Sequence, residues 1–383
     1  MGRHYLDHAS TSPLRPEARD AMVAWLDAAA AGAVADPSRI HVEGMTARVA
    51  LEQARDQVAS LLGARGREVV FTSGATESIA TATWGAFGRG RHMVVPAVEH
   101  SAVRDATAAY AAALGGQVSL VGVDRVGRVD PVEVLAAVRP DTALVHVQWG
   151  NHEVGTRQPV ADVIAGCREL GVLVHVDAAQ GAGHDPIDFA ELGADLLSVS
   201  GHKFGAPMGA GALLVRRGLR LDPLIRGGDQ ERARRAGVEN LPALVGLGAA
   251  CESLGIDDRL DTERRESRRL TDRVVAAVPH LDGVRIYGDP VDRLPHLVCL
   301  GIDGIEPQAV LLGLDQAGIA AHSGSACASE GLKDSPVLEA MGVDAHRSLR
   351  VSVGWSSTDD DIDALLAALP RAIAQLRALA LRS

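Results

Sequence analysis

Only two of the 383 residues are lysine, Lys203 and Lys333, and arginine carries the rest of the fixed basic charge. Arginine keeps its proton at any accessible pH, whereas a lysine amine can lose it and act as nucleophile or base. Lys203 sits in SVSGHKFGAPMGAGALLV, directly after the apolar run ADLLSV, with Ser200 and His202 just before it. It is the first candidate for amine chemistry, and Lys333 in EGLKDSP is the second; a solvated loop lysine is the plain alternative. Other chemistry-bearing residues also follow apolar runs. After REVVF comes TSGATES, where Ala75 and Thr76 offer backbone amides at a helix start and Thr76 adds a hydroxyl. Such a start suits a phosphate, but it also suits an ordinary cap. After HMVVPA comes VEHSAV with His100, and an isolated histidine is more often structural. After GVLVHV comes DAAQ with Asp177 and Gln180. An aspartate there must meet a cation or hydrogen-bond donors if it is buried, or else serve as a helix cap.

Together these residues are more specific than any one of them. A phosphate cradle, an aspartate, a histidine able to stack on a ring and a rare lysine form the set that pyridoxal 5'-phosphate requires. The lysine forms the Schiff base, the aspartate pairs with the pyridinium nitrogen, and the helix start holds the phosphate. A protonated ring nitrogen makes the ring an electron sink for a carbanion at the substrate Cα.

The elements that must position this set are readable as well. REVVFTSG, HMVVPA, TALVHVQWG, GVLVHVDAAQ, ADLLSVSG and GAGALLVRR read as buried strands, separated by amphipathic segments such as ARVALEQARDQVASLLG and QPVADVIAGCRELG. The alternation predicts an α/β fold with a mostly parallel sheet between helices, and ligands bind at the carboxyl ends of such strands. After about Ala250 the pattern changes to a long charged helix, DDRLDTERRESRRLTDRVVAAV, then GVRIYG, HLVCLGI and a final helix rich in alanine and leucine. The expected division is a large domain over 15–255 and a smaller α+β domain from 1–14 and 256–383.

Composition limits the function. Hydrophobic residues at 47% and charged residues at 23% fit a soluble globular chain, and aromatics at 3% require an aliphatic core. A net charge of -11 argues against the broad basic face that direct nucleic-acid binding uses, although RARRAG could dock a partner locally. Cys167, Cys251, Cys299 and Cys327 lack paired metal-ligand spacing, which speaks against a disulfide scaffold and for a reducing compartment. No metal is expected. MGRHYLDHASTSP has no apolar targeting core and no long apolar run follows, so no membrane association is expected and the expected location is the cytoplasm.

Nearly end to end, the chain resembles the pyridoxal-phosphate cysteine desulfurases of the NifS/IscS-like branch, fold-type I and class V of the aminotransferase superfamily. YLDHASTSPLRPEA, FTSGATES, EHSAV, HVDAAQ, SGHKFGAPMGAGAL, GGDQERARRAG, SGSACAS and SLRVSVG carry the resemblance in order and spacing. It implies that Lys203 anchors the cofactor and moves protons at the substrate Cα, that His100 stacks on the ring, and that Asp177 pairs with the ring nitrogen. It further implies that Gln180 bonds the ring hydroxyl, that Ala75, Thr76, Ser200 and His202 form the phosphate cradle, and that Arg350 binds the substrate carboxylate. Cys327, among glycine and serines, would be the nucleophile, and only its thiolate is reactive. Cys167 and Cys299 read as buried structural thiols.

Three positions depart from the family pattern. Asn-Asn-Glu-Ile-Gly reads NHEVG, which puts His152 where an asparagine usually faces cofactor and substrate. Arg-Ser-Gly-Thr reads RAGV, so Val238 replaces a threonine that reaches the neighbouring subunit's phosphate. Asn-Pro-Ser-Ser reads DPSR, with Asp36 at a substrate-recognition position.

The implied activity converts L-cysteine to L-alanine, leaving a persulfide on Cys327 that passes by thiol exchange to a sulfur-acceptor protein. Iron–sulfur assembly, tRNA thiolation and DNA phosphorothioation all draw on such enzymes. The alternatives are a selenocysteine lyase or another class V enzyme and, in a different class, a low-turnover sulfur carrier or scaffold. A homodimer is implied because GGDQERARRAG normally reaches the partner's cofactor.

Overall fold

A computed structural model describes residues 2–323, 334–345 and 347–380. In chain order its strands are β1 (His4–Tyr5), β2 (Val69–Thr72), β3 (His92–Pro96), β4 (Gln117–Val121), β5 (Thr142–Gln148) and β6 (Leu173–Asp177). They continue with β7 (Leu196–Ser200), β8 (Gly211–Val215), β9 (Val284–Tyr287), β10 (Leu297–Ile302), β11 (Ile319–Ala320) and β12 (Ser348–Ser352). β2 to β8 form a seven-stranded sheet in the order β2-β8-β7-β6-β5-β3-β4. β3 to β7 pair in parallel, and β8 runs antiparallel to both its neighbours. The mostly parallel sheet expected from the alternation is therefore present, with all six expected strands in it. β4 was not among them. It is an edge strand with Gln117 and Leu120 exposed, so it lacks the continuous apolar run that marks its buried neighbours.

Side chains alternate between the two faces of each strand. Val69, Phe71, Val145, Val147, Val174, Val176, Leu197 and Val199 point to one face, against α1 (Pro16–Ala30), α2 (Val42–Leu61) and the helix Leu241–Gly255. Val70, Met93, Leu144, Leu196 and Leu213 point to the other, where α3 (Ala75–Ala86) and α4 (Ser101–Leu114) lie. Burial on both faces explains why β5, β6 and β7 are mostly apolar rather than alternating, with their few polar side chains, such as His146, His175 and Ser198, hydrogen-bonded to one another. A second core joins Leu6 to residues of the antiparallel sheet β12-β10-β9 and of the helices Arg259–Ala277, Pro307–Gln316 and Asp359–Ala380. β1 pairs with β11, so the N-terminus belongs to this second core before the chain crosses to the first. Among the described residues no helix is long and apolar enough to cross a membrane.

One connection is strained. Glu231, Arg232 and Ala233 all have positive φ, at 49°, 59° and 61°. Each left-handed non-glycine residue costs roughly 1–2 kcal/mol. A buried ion pair holds the segment in place: Arg55 donates to both Glu231 oxygens at 2.7 and 2.8 Å, and Glu231 also accepts the Phe71 N–H at 2.9 Å. The Arg55 guanidinium lies 4.7 Å from the centre of the Phe71 ring. Removing Glu231 leaves the buried Arg55 with only Glu52, at 3.3 Å, as a charged partner. Glu231→Ala is therefore expected to cost about 3–5 kcal/mol in urea unfolding of the purified protein. A loss below 1 kcal/mol would show that Arg55 finds another partner.

Candidate active site

β7 ends at Ser200, and a 3₁₀ turn (Gly201–Lys203) carries the lysine side chain over the carboxyl edge of the sheet. Lys203 Nζ donates to the carbonyl oxygens of Ala9 at 2.8 Å and Ser10 at 2.9 Å. Burial pulls the amine down to about 8, the Arg350 charge pulls the same way, and Asp7 and Asp177 oppose it. Lys203 thus opens onto a cavity of about 620 Å³ as an amine that is readily deprotonated.

The same cavity takes in Ala75, Thr76, His100 and Asp177 from the sequence-predicted set. Gln180, Ser200, His202, His152 and Arg350 complete it. Each arrives by a short route from a strand end. α3 starts three residues after β2, behind Gly74 at φ 152°, and a Cβ on Gly211 would come within 2.5 Å of the Gly74 Cα. Glycine at 211 is what lets that turn back onto β8, with the first N–H groups of α3 unpaired inside the helix. His100 caps α4, its Nδ1 accepting the Ala102 N–H at 3.0 Å. Burial, then the His152, Lys203 and Arg104 charges, lower its pKa to about 3, so the ring is neutral. Asp177 ends β6 and accepts the Ala179 N–H at 3.0 Å. Burial raises its carboxyl. Arg350, on β12, donates to the His152 carbonyl at 2.8 Å, to Asp7 Oδ1 at 3.0 Å and to Ser10 Oγ at 2.7 Å, while its Nε has no partner.

Asp36 is not brought to this cavity: its Oδ1 accepts the Ser38 N–H at 2.8 Å in the loop before α2. Val238 is 62% exposed and lines a neighbouring recess that shares Ser73 and Gly209 with the cavity. Cys327 and Lys333 lie outside the described residues. Burial pushes the Cys167 thiol to about 11 and the Cys251 thiol to about 12, and raises Cys299 as well, so these three are poor nucleophiles.

Sequence reasoning missed a layer of imidazoles behind the lysine. His184 and His296 stack with centroids 3.7 Å apart and planes 12° apart. His184 Nε2 donates to the Lys203 carbonyl at 3.0 Å, and His296 Nε2 meets Gln180 Oε1 at 3.1 Å. Gln180 Nε2 then donates to the Ala9 carbonyl at 2.8 Å, while His8 Nδ1 bonds Ser12 Oγ at 2.9 Å. Burial lowers all three rings, His8 and His184 to about 4. They act as neutral struts for Lys203 and Gln180. Their spacing in the sequence carried no signal of this.

The sequence matches the aminotransferase class-V family over residues 4–365. The chain belongs to that family. It is 39% identical over 380 residues to the cysteine desulfurase IscS of Methanosarcina thermophila, covering 97% of this chain and 92% of the relative. It is 41% identical over 387 residues to a cysteine desulfurase of Cereibacter sphaeroides, with 99% and 98% covered. A solved NifS-like protein superposes with a TM-score of 0.88 at 31% identity, covering 98% of this chain and 100% of that one. A structure described as SspA in complex with cysteine gives 0.79 at 29% identity, covering 93% and 100%.

The cofactor of this class-V aminotransferase relative is pyridoxal 5'-phosphate, and the cavity fits it. Asp177 is buried with no cation paired to it among the described residues, which suits a protonated ring nitrogen. His202 Nδ1 and His152 Nδ1 are buried without partners, and the α3 start offers N–H groups beside Ser200.

The lysine also sets a pH dependence on the cofactor-free protein. Between about pH 8 and 10.5 the folded Lys203 is neutral while the unfolded chain still holds the proton. The unfolded state then binds more protons, so stability rises with pH across that window, by about 3 kcal/mol. Unfolding of the apoprotein at several pH values should show this rise in the wild type and not in Lys203→Met. A parallel pH dependence in both would mean that Lys203 keeps its ordinary ionisation.

Proposed function

We propose that this protein is a pyridoxal-phosphate-dependent cysteine desulfurase, converting L-cysteine to L-alanine and leaving the sulfur as a persulfide on Cys327. The observation that carries this reading is the meeting of one deprotonatable amine, Lys203, with Arg350 and Asp177 in one cavity, in a chain so similar over its length to named cysteine desulfurases. When bound, pyridoxal phosphate supplies an electron sink for the carbanion at the substrate Cα. Lys203 is the residue that would hold the cofactor, and its amine would take and return the proton at the substrate Cα. Asp177 would hold the ring-nitrogen proton, and the His100 ring, kept neutral by burial, would face the cofactor without adding charge. Gln180 is aligned by His296 for the ring hydroxyl. Ala75 and Thr76 amides with Ser200 and His202 receive the phosphate.

Arg350 binds the substrate carboxylate, with its unpartnered Nε as spare donor capacity. The Cys327 thiolate attacks the substrate sulfur, alanine departs, and the persulfide sulfur passes to the thiol of an acceptor protein. Iron–sulfur assembly, tRNA thiolation and DNA phosphorothioation are the candidate destinations, and the location assigned is the cytoplasm. The chain is read as two domains, 15–255 and 1–14 with 256–383, and as one half of a homodimer. Exposed apolar side chains at the start of α2, Ile40, Val42 and Met45, support pairing with a second copy.

The test is anaerobic incubation of the yellow holoprotein with L-cysteine, following alanine release and mapping the added sulfur by mass spectrometry. Alanine with a persulfide on Cys327 is expected, and both should vanish in Cys327→Ser. Turnover and sulfur transfer that survive in Cys327→Ser would sink the assigned nucleophile. Arg350→Ala is expected to raise KM for L-cysteine roughly 10- to 100-fold, the range lost with a charged hydrogen bond of about 1.5–3 kcal/mol. An unchanged KM would remove the carboxylate role.

A further inference from the structure

Among the described residues Arg350 is the one guanidinium that lines the cavity, and most of its donors are already committed. A guanidinium carries five N–H groups in a fixed fork. Nη1 donates to the His152 carbonyl at 2.8 Å and has one N–H to spare. Nη2 donates to Asp7 Oδ1 at 3.0 Å and to Ser10 Oγ at 2.7 Å, which spends both of its N–H groups. Nε is buried and has no partner among the described residues.

A carboxylate is gripped by two parallel N–H groups on one edge of the fork. Only two edges offer such a pair, Nε with Nη2 and Nη1 with Nη2. Both include Nη2, so the two spare donors cannot hold one carboxylate together. Bidentate capture therefore requires Asp7 or Ser10 to give up its bond to Nη2. The two holders differ. Asp7 makes an ion pair with Arg350, the side chains 19% and 5% exposed, and breaking it would leave opposite charges separated in a crowded interior. Its backbone is also tied down, by the bridge to Ser352 and by a carbonyl that accepts the Ser10 N–H at 3.1 Å. Ser10 is neutral and lines the cavity, whereas Asp7 does not. Its hydroxyl donates to Asp7 Oδ1 at 2.8 Å, so its oxygen meets Arg350 only as an acceptor. Rotation about one side-chain torsion clears it from the fork. Ser10 is the holder that yields.

We propose that Ser10 is a positioning residue that sets the affinity of this site for the substrate carboxylate: its hydroxyl stands where one carboxylate oxygen must go, and binding turns it out. The proposal rests on the reading of Arg350 as the carboxylate-binding group. Until a carboxylate arrives, Ser10 keeps the guanidinium paired and aimed. Every amino acid that binds has to replace that bond before it gains its own. Without the hydroxyl, one Nη2 N–H is left buried and unpaired, a deficit that a carboxylate oxygen fills. Removing the hydroxyl therefore tightens binding.

The experiment compares the wild-type holoprotein with Ser10→Ala, Arg350→Lys and the double variant, each checked for cofactor content by absorbance. The cofactor absorbance is titrated with L-alanine and, separately, with ethylamine, which is the same skeleton without the carboxylate. Ser10→Ala is expected to lower the half-saturating concentration of L-alanine about 10-fold. The initial slope of the ethylamine titration should change by less than about twofold, and so should L-alanine binding when Ser10→Ala is added to Arg350→Lys. A merely structural role for Ser10 would move both ligands alike and would not depend on Arg350. L-Alanine binding that is unchanged or weaker in Ser10→Ala would overturn the proposal. So would an equal change with ethylamine, an equal effect in the Arg350→Lys background, or a loaded wild type whose absorbance ignores L-alanine. The readout is binding, not turnover. A loaded wild type that binds L-alanine but releases none from L-cysteine would defeat the desulfurase reading and leave this inference standing.

Discussion

Residues 7–15 form a strap on which the site depends. The strap leaves the second core at β1, bridges to β12 through Asp7 and Ser352, and reaches the first core by the turn after β7. On the way the Ser12 N–H donates to the His202 carbonyl and the Arg15 N–H to the Gly205 carbonyl, both at 2.8 Å. Its own carbonyls, Ala9 and Ser10, receive Lys203, and Ala9 also receives Gln180. Asp7 and the Ser10 hydroxyl hold Arg350. An amine from one sheet and a guanidinium from the other are thus measured against the same few backbone atoms. Neither could keep its position if the two cores shifted relative to each other.

The electrostatics follow from that crowding. Lys203 and Arg350 share a cavity, so each adds to the cost of the other's charge, and a lysine can answer by losing its proton while an arginine cannot. The surrounding histidines do not add to the burden. Burial keeps His8, His100 and His184 at about 3 to 4, and stacked rings at 3.7 Å such as His184 and His296 could not both be cationic. They serve as donors and acceptors of fixed geometry. His146 and His175 make a similar neutral pair inside the sheet, their Nδ1 atoms 3.0 Å apart and Ser198 beyond. Packing imidazoles in an aliphatic core is tolerable only because each finds a polar neighbour.

What was legible in the sequence divides along a physical line. Strands buried on both faces announce themselves as apolar runs, and β2, β3 and β5 to β8 were readable for that reason; β4, half-exposed at the edge, was not. Ala75, His100, Asp177 and Lys203 could be picked out because each stands within a few residues of a strand end, where the fold gathers ligands. His8, His184 and His296 gave no such signal, since their meaning lies in contacts between segments far apart in the chain. The left-handed run at Glu231–Ala233 was also invisible, because nothing in QERA announces that a buried Arg55 will hold it there. Asp36 shows the reverse case: a position marked by motif alone, which the fold of its own chain leaves bonded to Ser38 away from the cavity.

The choice of lysine in an arginine-rich chain now has a chemical reason. An aldehyde condenses with whichever amine is neutral and reachable. Guanidinium groups do not compete, because they stay protonated even when buried beside other charges. Among the described residues Lys203 is the single lysine, and burial with Arg350 nearby brings it within reach of neutral pH. A second lysine in the cavity would have offered a rival attachment point. A solvated lysine elsewhere would have stayed charged, with its amine titrating near 10.4. Selectivity for one amine therefore needs no separate recognition device: it follows from how few amines the chain carries and from where the strap and the sheet bury this one.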